Sequence, residues 1–428
     1  MSSAVGYASA DGDRADVDPT HSESRRIARW RRVFDLAYRA TNDPLCGWES
    51  RVDGRPLPAA EMREWLYETA LFVLEGRPKR LLEIGCGTGL LARAIAPRLQ
   101  AYFGLDLSAA AIEGLRRSAW PAATPPRLAV AAAHEVPHDW SGFDTVVLNS
   151  VVQYFPSQAY LSDVVRHAVG VARKGGAIVI GDVRHRDLLD LLCTSAAWAR
   201  LPPATLARTA RAQIRAALES EEELLLSPAD AWGLAALDAR ISGVELSPRR
   251  ARTANELNDF RFDVRIRLDG PPAEPVACAR AWRDLADPAE AERWMASAPH
   301  AAAAILDVPT GRLSLHHWRR ARLAAAHPDQ TLAELSAGPP EPDGRLSRLM
   351  EGAARQGFQG RLVWFAGQAP ELADLLLTRP SRSRAPWSPR PPVDPPTPEA
   401  GAVGALEAAI GQLAGPRRGG APAAGRRG

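Results

Sequence analysis

The chain of 428 residues is short of several residue types, and each shortage removes a class of function. Its four cysteines, Cys46, Cys86, Cys193 and Cys278, stand far apart with no CxxC pair. Neither a disulfide framework nor a zinc site is suggested. Lysine occurs only at Lys79 and Lys174, so nearly every positive charge is arginine. The 53 basic and 50 acidic residues leave a net charge of +3, too small for a strong pull on polyanions. Long apolar runs are missing too, which excludes a transmembrane helix. The polar start lacks the basic and apolar stretches of a secretory signal, so a cytoplasmic protein is expected. His316 and His317 read as a surface pair, because no third ligand is evident.

What is present is enough apolar residue, 46%, for a real core, in a length that suits two or three domains. Residues 1–24 read as a disordered lead. From Ser24 to Ala40, Ile27, Trp30, Phe34 and Ala37 fall at helical spacing, and a second helix follows from Ala59 to Gly76. The rhythm then changes. Apolar strands at 80–85, 101–107, 126–133, 143–150 and 177–184 alternate with helices, one opened by Ser108 as N-cap and one running over 160–176 to a glycine stop. That alternation predicts a parallel sheet covered on both faces. Residues 187–240 read as largely helical. Strands at 241–251 and 260–270 bring the count to seven. In the last, Phe260, Phe262, Val264, Ile266 and Leu268 alternate as in a half-exposed antiparallel strand near a sheet edge. Residues 25–270 therefore form the main α/β domain. Residues 271–377 form a smaller α/β unit, with a helix at Trp282, strands at 301–308 and 360–365, and a helix at 344–357. Residues 378–428 read as a disordered tail rich in Pro, Gly and Arg, with one short helix around 402–414.

The glycine-rich turn "LLEIGCGTGLLARAIAP" spaces its residues as Glu83-x-Gly85-x-Gly87-x-Gly89. The dinucleotide fingerprint GxGxxG needs its third glycine one place later, and a P-loop needs a lysine that is not there. Asp106 ends the next strand, where a carboxylate can accept both hydroxyls of a ribose. Glu83 adds a second negative charge near the cleft. It would repel a pyrophosphate and suit a ligand carrying an ammonium and a sulfonium, as S-adenosylmethionine (SAM) does. Glycines close tight strand–helix turns in many α/β proteins, but the joint pattern favours SAM. It resembles that of class I SAM-dependent methyltransferases. The resemblance implies a Rossmann-like seven-stranded sheet, with Glu83, Gly85, Gly87, Gly89, Asp106, Leu107 and Asn149 around the cofactor and His134 bordering the adenine.

A second resemblance is narrower. "FDTVVLNSVVQYFPSQAYL", "GWESRVDGRPLPAAEMREWL", "GDVRHRDLL" and "RARTANELNDFRFDVRIRL" are similar to the methyltransferase domains of nonribosomal peptide synthetases. "ILDVPTGRLSLHHW" and "GAARQGFQGRLVWFAG" are similar, more weakly, to that group's C-terminal extension, so the resemblance spans roughly residues 30 to 377. It implies N-methylation of an amino-acid or peptide amine held as a thioester on a carrier protein. Without recognisable adenylation or carrier motifs, a freestanding enzyme of natural-product biosynthesis acting in trans is expected. An O- or C-methyltransferase, or a non-catalytic subunit of an assembly line, are the alternatives.

Methyl transfer from a sulfonium is an in-line displacement governed by positioning and desolvation. An α-amine has a reference pKa of about 7.7–8.0, so an orienting acceptor can suffice in place of a strong base. Asn149, Tyr154, Asp182 and Glu256 are the candidates for that role, with Gln153 delivered to the same sheet edge; Glu256 either faces the cleft from the loop between the last two strands or is simply exposed. Asp182 and Arg184 serve either the substrate or an ion pair that ties a strand end to a helix. Trp48 either covers the ligands or anchors the N-terminal helices.

Overall fold

A computed structural model describes residues 19–40, 43, 45, 47–249, 253–271, 274–276, 278–285, 287–297, 302–341, 343–364, 368–379 and 387–388. Most of the expected lead and tail, the short helix around 402–414 and Cys46 lie outside the described residues.

Helix α1 (Pro19–Ala40) begins five residues before the expected start, inside the segment read as a disordered lead. Proline is its first residue, a position where the missing N–H is no loss. Helix α2 (Ala59–Leu74) follows, and then the sheet. Its strands are β1 (Arg80–Ile84), β2 (Ala101–Asp106), β3 (Arg127–Val130), β4 (Phe143–Asn149), β5 (Ala172–Arg184), β6 (Ile241–Pro248) and β7 (Arg261–Leu268). Their order is β3-β2-β1-β4-β5-β7-β6. The first five pair in parallel, and β7 runs antiparallel to both of its neighbours.

Alternation along the strands sorts the side chains to two faces. Leu81, Val147 and Val179 pack with α2 and with α3 (Leu90–Ile95). Leu82, Val146, Leu148, Ile178 and Ile180 pack on the other face with Leu161, Val164 and Val165 of α5 (Gln158–Val171). Helix α4 (Ala109–Arg117) links β2 to β3, and Ser108 is its N-cap, as expected. The strand order reverses between β1 and β4, which is where ligands of open α/β sheets bind.

Two readings are corrected. Helix α5 stops at Val171 rather than running to Gly176, and Ala172 already pairs with Phe143. Arg240 fixes that end by donating to the carbonyls of Val169, Ala172 and Arg173. Strand β7 is not half-exposed; it lies inside the sheet, and β6 forms the edge. Two of its polar positions are buried, because Asp263 pairs with Arg249 and Arg265 donates to the carbonyl of Phe72.

Between β5 and β6 run α6 (Leu189–Arg200), α7 (Ala207–Glu219) and α8 (Pro228–Gly233), and α9 (Glu256–Asp259) precedes β7. Strand β8 (Glu274–Pro275) pairs with residues 387–388. A four-stranded sheet then combines β9 (Ala279–Ala281), β10 (Ala302–Pro309), β11 (Gln359–Val363) and β12 (Leu372–Thr378) in the order β11-β12-β10-β9. Helices α10 (Pro288–Ser297), α11 (Ser314–Ala325), α12 (Leu332–Leu335) and α13 (Arg345–Arg355) accompany it. Around Trp282 there is only a single 3-10 turn, not a longer helix.

This smaller unit packs on the first. Ile305, Trp364 and Leu375 share one apolar core with Phe262 and Val264. The Trp364 amide donates to the Leu246 carbonyl at 2.9 Å, and Arg361 pairs with Glu245. His316 is corrected from a surface residue to a buried one. Its Nδ1 lies 2.7 Å from Ser195 Oγ and its Nε2 lies 3.2 Å from Asp259 Oδ2, because α11 lies against α6.

Candidate active site

After Ile84 the chain turns through Gly85 (φ +78°), Gly87 (φ +50°) and Gly89 (φ +80°), the left-handed region that glycine enters freely. A Cβ at Gly85 would stand 2.7 Å from Val151, and one at Gly89 would stand 2.6 Å from Leu115. The turn is thus packed closely against Val151 and Leu115, and of its three glycines only Gly85 reaches the cavity wall. The Gly87 amide donates to Asp106 Oδ2 and the Ser108 amide to Oδ1, each at 2.8 Å. Burial raises the Asp106 pKa, while these N–H groups pull it the other way. The carboxylate is fixed in place, with lone pairs left for a ligand.

Glu83 does not have the place expected of it. It is 3% exposed, lies off the cavity wall and accepts a hydrogen bond from the Tyr102 hydroxyl at 2.6 Å. Burial pushes its pKa up to about 8, so at neutral pH it carries a proton rather than a charge. The neighbouring β2 supplies its partner, and Ile84, the next residue, takes the wall.

A cavity of about 260 Å³ opens over the carboxyl ends of β1 to β4. Gly85, Asp106, Leu107 and Ala131–Ala133 line one end. Ser150, Gln153, Tyr154, Glu223, Arg261 and Arg51 line the other. Helix α1 roofs it with Ile27, Trp30, Phe34 and Tyr38. The Trp30 and Phe34 rings meet Tyr154 at 4.7 and 4.9 Å between centroids. Asp35, on the same helix, accepts from Ser108 Oγ at 2.5 Å and from the Ala110 amide at 3.1 Å. The roof is therefore tied to the residue two places after Asp106.

The other expected residues divide. Trp48 meets both of its readings, since it lines the cavity and its ring packs on Trp65 of α2 at 4.5 Å. Tyr154 and Gln153 are on the wall; burial, and then the Glu223 charge, raise the Tyr154 pKa to about 12. Asn149 is off the wall, turned toward β5, where a Cβ on Gly181 would collide with its Oδ1. Ser150, just past the end of β4, has a left-handed backbone (φ +55°) and lines the cavity instead. His134 also lies off the wall, behind Tyr160, whose hydroxyl is 2.8 Å from its Nδ1.

Three further expected residues stand behind the wall rather than on it. Glu256 holds the loop before α2, accepting from Ser50 Oγ at 2.8 Å and from the Val52 amide at 3.0 Å. Arg184 is 4% exposed and pairs with Glu221 and Glu223 at 2.7 Å each, and Glu223 in turn pairs with Arg51 at 2.8 Å. Asp182 is fully buried and holds Arg261 at 2.5 Å. Asp182 and Arg184 both stand in ion pairs, with loop and strand partners in place of a helix. The sequence reading missed Ser150, Arg51, Glu223, Arg261 and the roof aromatics. The spacing of Ile27, Trp30 and Phe34 was a signal for the last group, but it gave no sign that this face covers a cleft.

A model of the methyltransferase domain matches residues 82–178. Chondramide synthase of Chondromyces crocatus is 33% identical over 400 residues, covering 88% of this chain and 10% of the synthase. The probable non-canonical nonribosomal peptide synthetase CymA of Salinispora arenicola is 37% identical over 261 residues, covering 59% of this chain and 3% of the synthetase. The chain thus spans a tenth or less of these curated relatives. Among solved structures, the N-methyltransferase NodS of Bradyrhizobium japonicum WM9, in complex with S-adenosyl-L-homocysteine, is 17% identical, with a TM-score of 0.34 over 56% of this chain and 98% of the other. By its sheet order, its glycine turn with Asp106 and its domain match over residues 82–178, the chain carries a class I SAM-dependent methyltransferase domain. Within that class it resembles the methylation domains of nonribosomal peptide synthetases.

The residues present fit SAM. The glycine turn is a cradle that side chains would fill, Asp106 is pinned at the end of β2, and the wall beside it is apolar. Gly85, Asp106, Leu107 and Ala132 line the wall and would hold the cofactor, Gly87 and Gly89 lie off the wall with Gly87 fixing Asp106, and Ser150, Val151, Gln153 and Tyr154 would face the acceptor.

Proposed function

We propose that the chain methylates the amine of an amino acid or peptide, presented as a thioester on a carrier protein, in the biosynthesis of a nonribosomal peptide. The observation that carries this reading is Gln153. Its Nε2 donates to the Ser150 carbonyl at 3.1 Å, and its Oε1 is buried at the cavity wall with no hydrogen-bond partner among the described residues. An unmatched buried acceptor costs about 1–3 kcal/mol, which an incoming N–H would offset. Glu223 and Tyr154 line the same end, with Glu223 held between Arg51 and Arg184. When bound, SAM would supply its methyl group as an electrophile to the amine nitrogen, with the sulfur as the leaving group that takes up the C–S electron pair. The protein's own part is to orient the amine, exclude water beneath α1 and leave the lone pair free.

The test is to incubate the chain with SAM and aminoacyl N-acetylcysteamine thioesters, free amino acids and short peptides, and to locate the added methyl by fragmentation mass spectrometry. Methyl on nitrogen, with the thioesters preferred, is expected. Methyl found on oxygen or carbon alone would overturn the proposal.

A further inference from the structure

Two residues at the acceptor end have an uncommon backbone. Ser150 has φ +55° and Asp182 has φ +61°, and neither is glycine. Such conformations persist where the surroundings enforce them, and they gather at functional sites. Here the two are joined, because the Ser150 hydroxyl donates to Asp182 Oδ2. Arg261 Nη1 donates to the same oxygen at 2.5 Å, and Arg249 lies 3.9 Å from the other. The Asp182 amide is held by Asp263 Oδ1 at 2.8 Å, and the Ser150 amide donates to the Gly181 carbonyl at 3.1 Å. Asp182 is out of reach of solvent, while Ser150 lines the cavity. The hydroxyl proton is therefore committed inward, and only the lone pairs of Oγ are left for the cavity.

We propose that Ser150 is a fixed hydrogen-bond acceptor for the substrate amine, with Asp182 and Arg261 as its positioning residues. The inference rests on the N-methylation reading and names the group that orients the nitrogen. A free serine hydroxyl can rotate and donate as readily as it accepts. Donation into the amine lone pair would mask the nucleophile. With its proton held by Asp182, Ser150 can only accept, so an N–H turns toward Oγ and the lone pair stays open to the methyl group. Gln153 Oε1 offers a place for the second N–H. Nitrogen keeps both hydrogens during transfer and becomes a secondary ammonium, which later releases a proton to solvent. Ser150 and Asp182 exchange no proton with it.

The deciding variant is Ser150→Gly, since glycine takes φ +55° without strain and only the hydroxymethyl group is lost. SAM affinity by calorimetry should stay within about twofold. Affinity for an amino-acid amide should fall about tenfold, as should kcat. Asp182→Asn should lower kcat by a similar factor, and the double variant should be no slower than Ser150→Gly. Where Asp182→Asn fails to fold, Ser150→Gly decides alone. Unchanged amine affinity and kcat in Ser150→Gly would overturn the proposal while N-methylation stands. Loss of SAM affinity in that variant would overturn it too, by assigning Ser150 to the fold. A wild type that methylates only oxygen or carbon would remove both readings.

Discussion

Glu83, next to last in β1, and Asp106, last in the adjacent β2, have surroundings that give them different duties. Asp106 is held by two backbone amides at the edge of the cavity. Glu83, one strand over, is enclosed with the Tyr102 hydroxyl, and burial raises its pKa from 4.5 to about 8. A folded-state pKa above the unfolded value gives stability that is complete below pH 4.5 and is lost as pH rises through 8. Glu83→Gln cannot ionise. The wild type should therefore lose stability relative to Glu83→Gln between pH 5 and 8, with a slope no steeper than one proton, about 1.4 kcal/mol per pH unit. Denaturant titrations at several pH values would show this, and parallel stability curves for the two proteins would refute it. The sequence marked both acids but could not tell them apart. Nothing in "LLEIG" discloses that a tyrosine 19 residues on will cap Glu83. The same one-place uncertainty separates Asn149, which turns away, from Ser150, which faces the cavity.

Helix α1 shows what an element's pattern discloses and what it withholds. The spacing of Ile27, Trp30 and Phe34 made its apolar face legible. That this face roofs a cavity depends on Asp35, which reaches Ser108, the N-cap of α4, and Ala110 in its first turn. Removing those two bonds in Asp35→Ala should loosen the roof. SAM and acceptor affinities are expected to fall about fivefold to tenfold, with faster proteolytic cutting within α1. Wild-type affinity and wild-type cutting would show that the roof is held by its aromatic rings alone. Strand β7 gives the complementary lesson. Its alternation was legible, yet two of its polar positions are internal, because Arg249 and Glu75 meet them from distant parts of the chain.

At the scale of the whole molecule, alternating strands and helices made the parallel sheet and its seven strands legible. The second sheet was seen in part. One of its two inner strands, β12, "LADLLLT", is a short apolar run that periodicity cannot separate from a helical turn. The cavity was the least legible feature, since Trp30, Gly85, Asp106, Ser150, Glu223 and Arg261 come together only in the folded chain. Ligand binding is thus a property of the complete fold, and one residue can report on it. The most direct test is calorimetric titration of SAM into the wild-type chain and into Asp106→Ala. Two lost hydrogen bonds to a charged acceptor correspond to roughly a hundredfold. The account predicts binding to the wild type and about that loss in Asp106→Ala. Equal affinity in the two proteins, or no binding to the wild type, would contradict it.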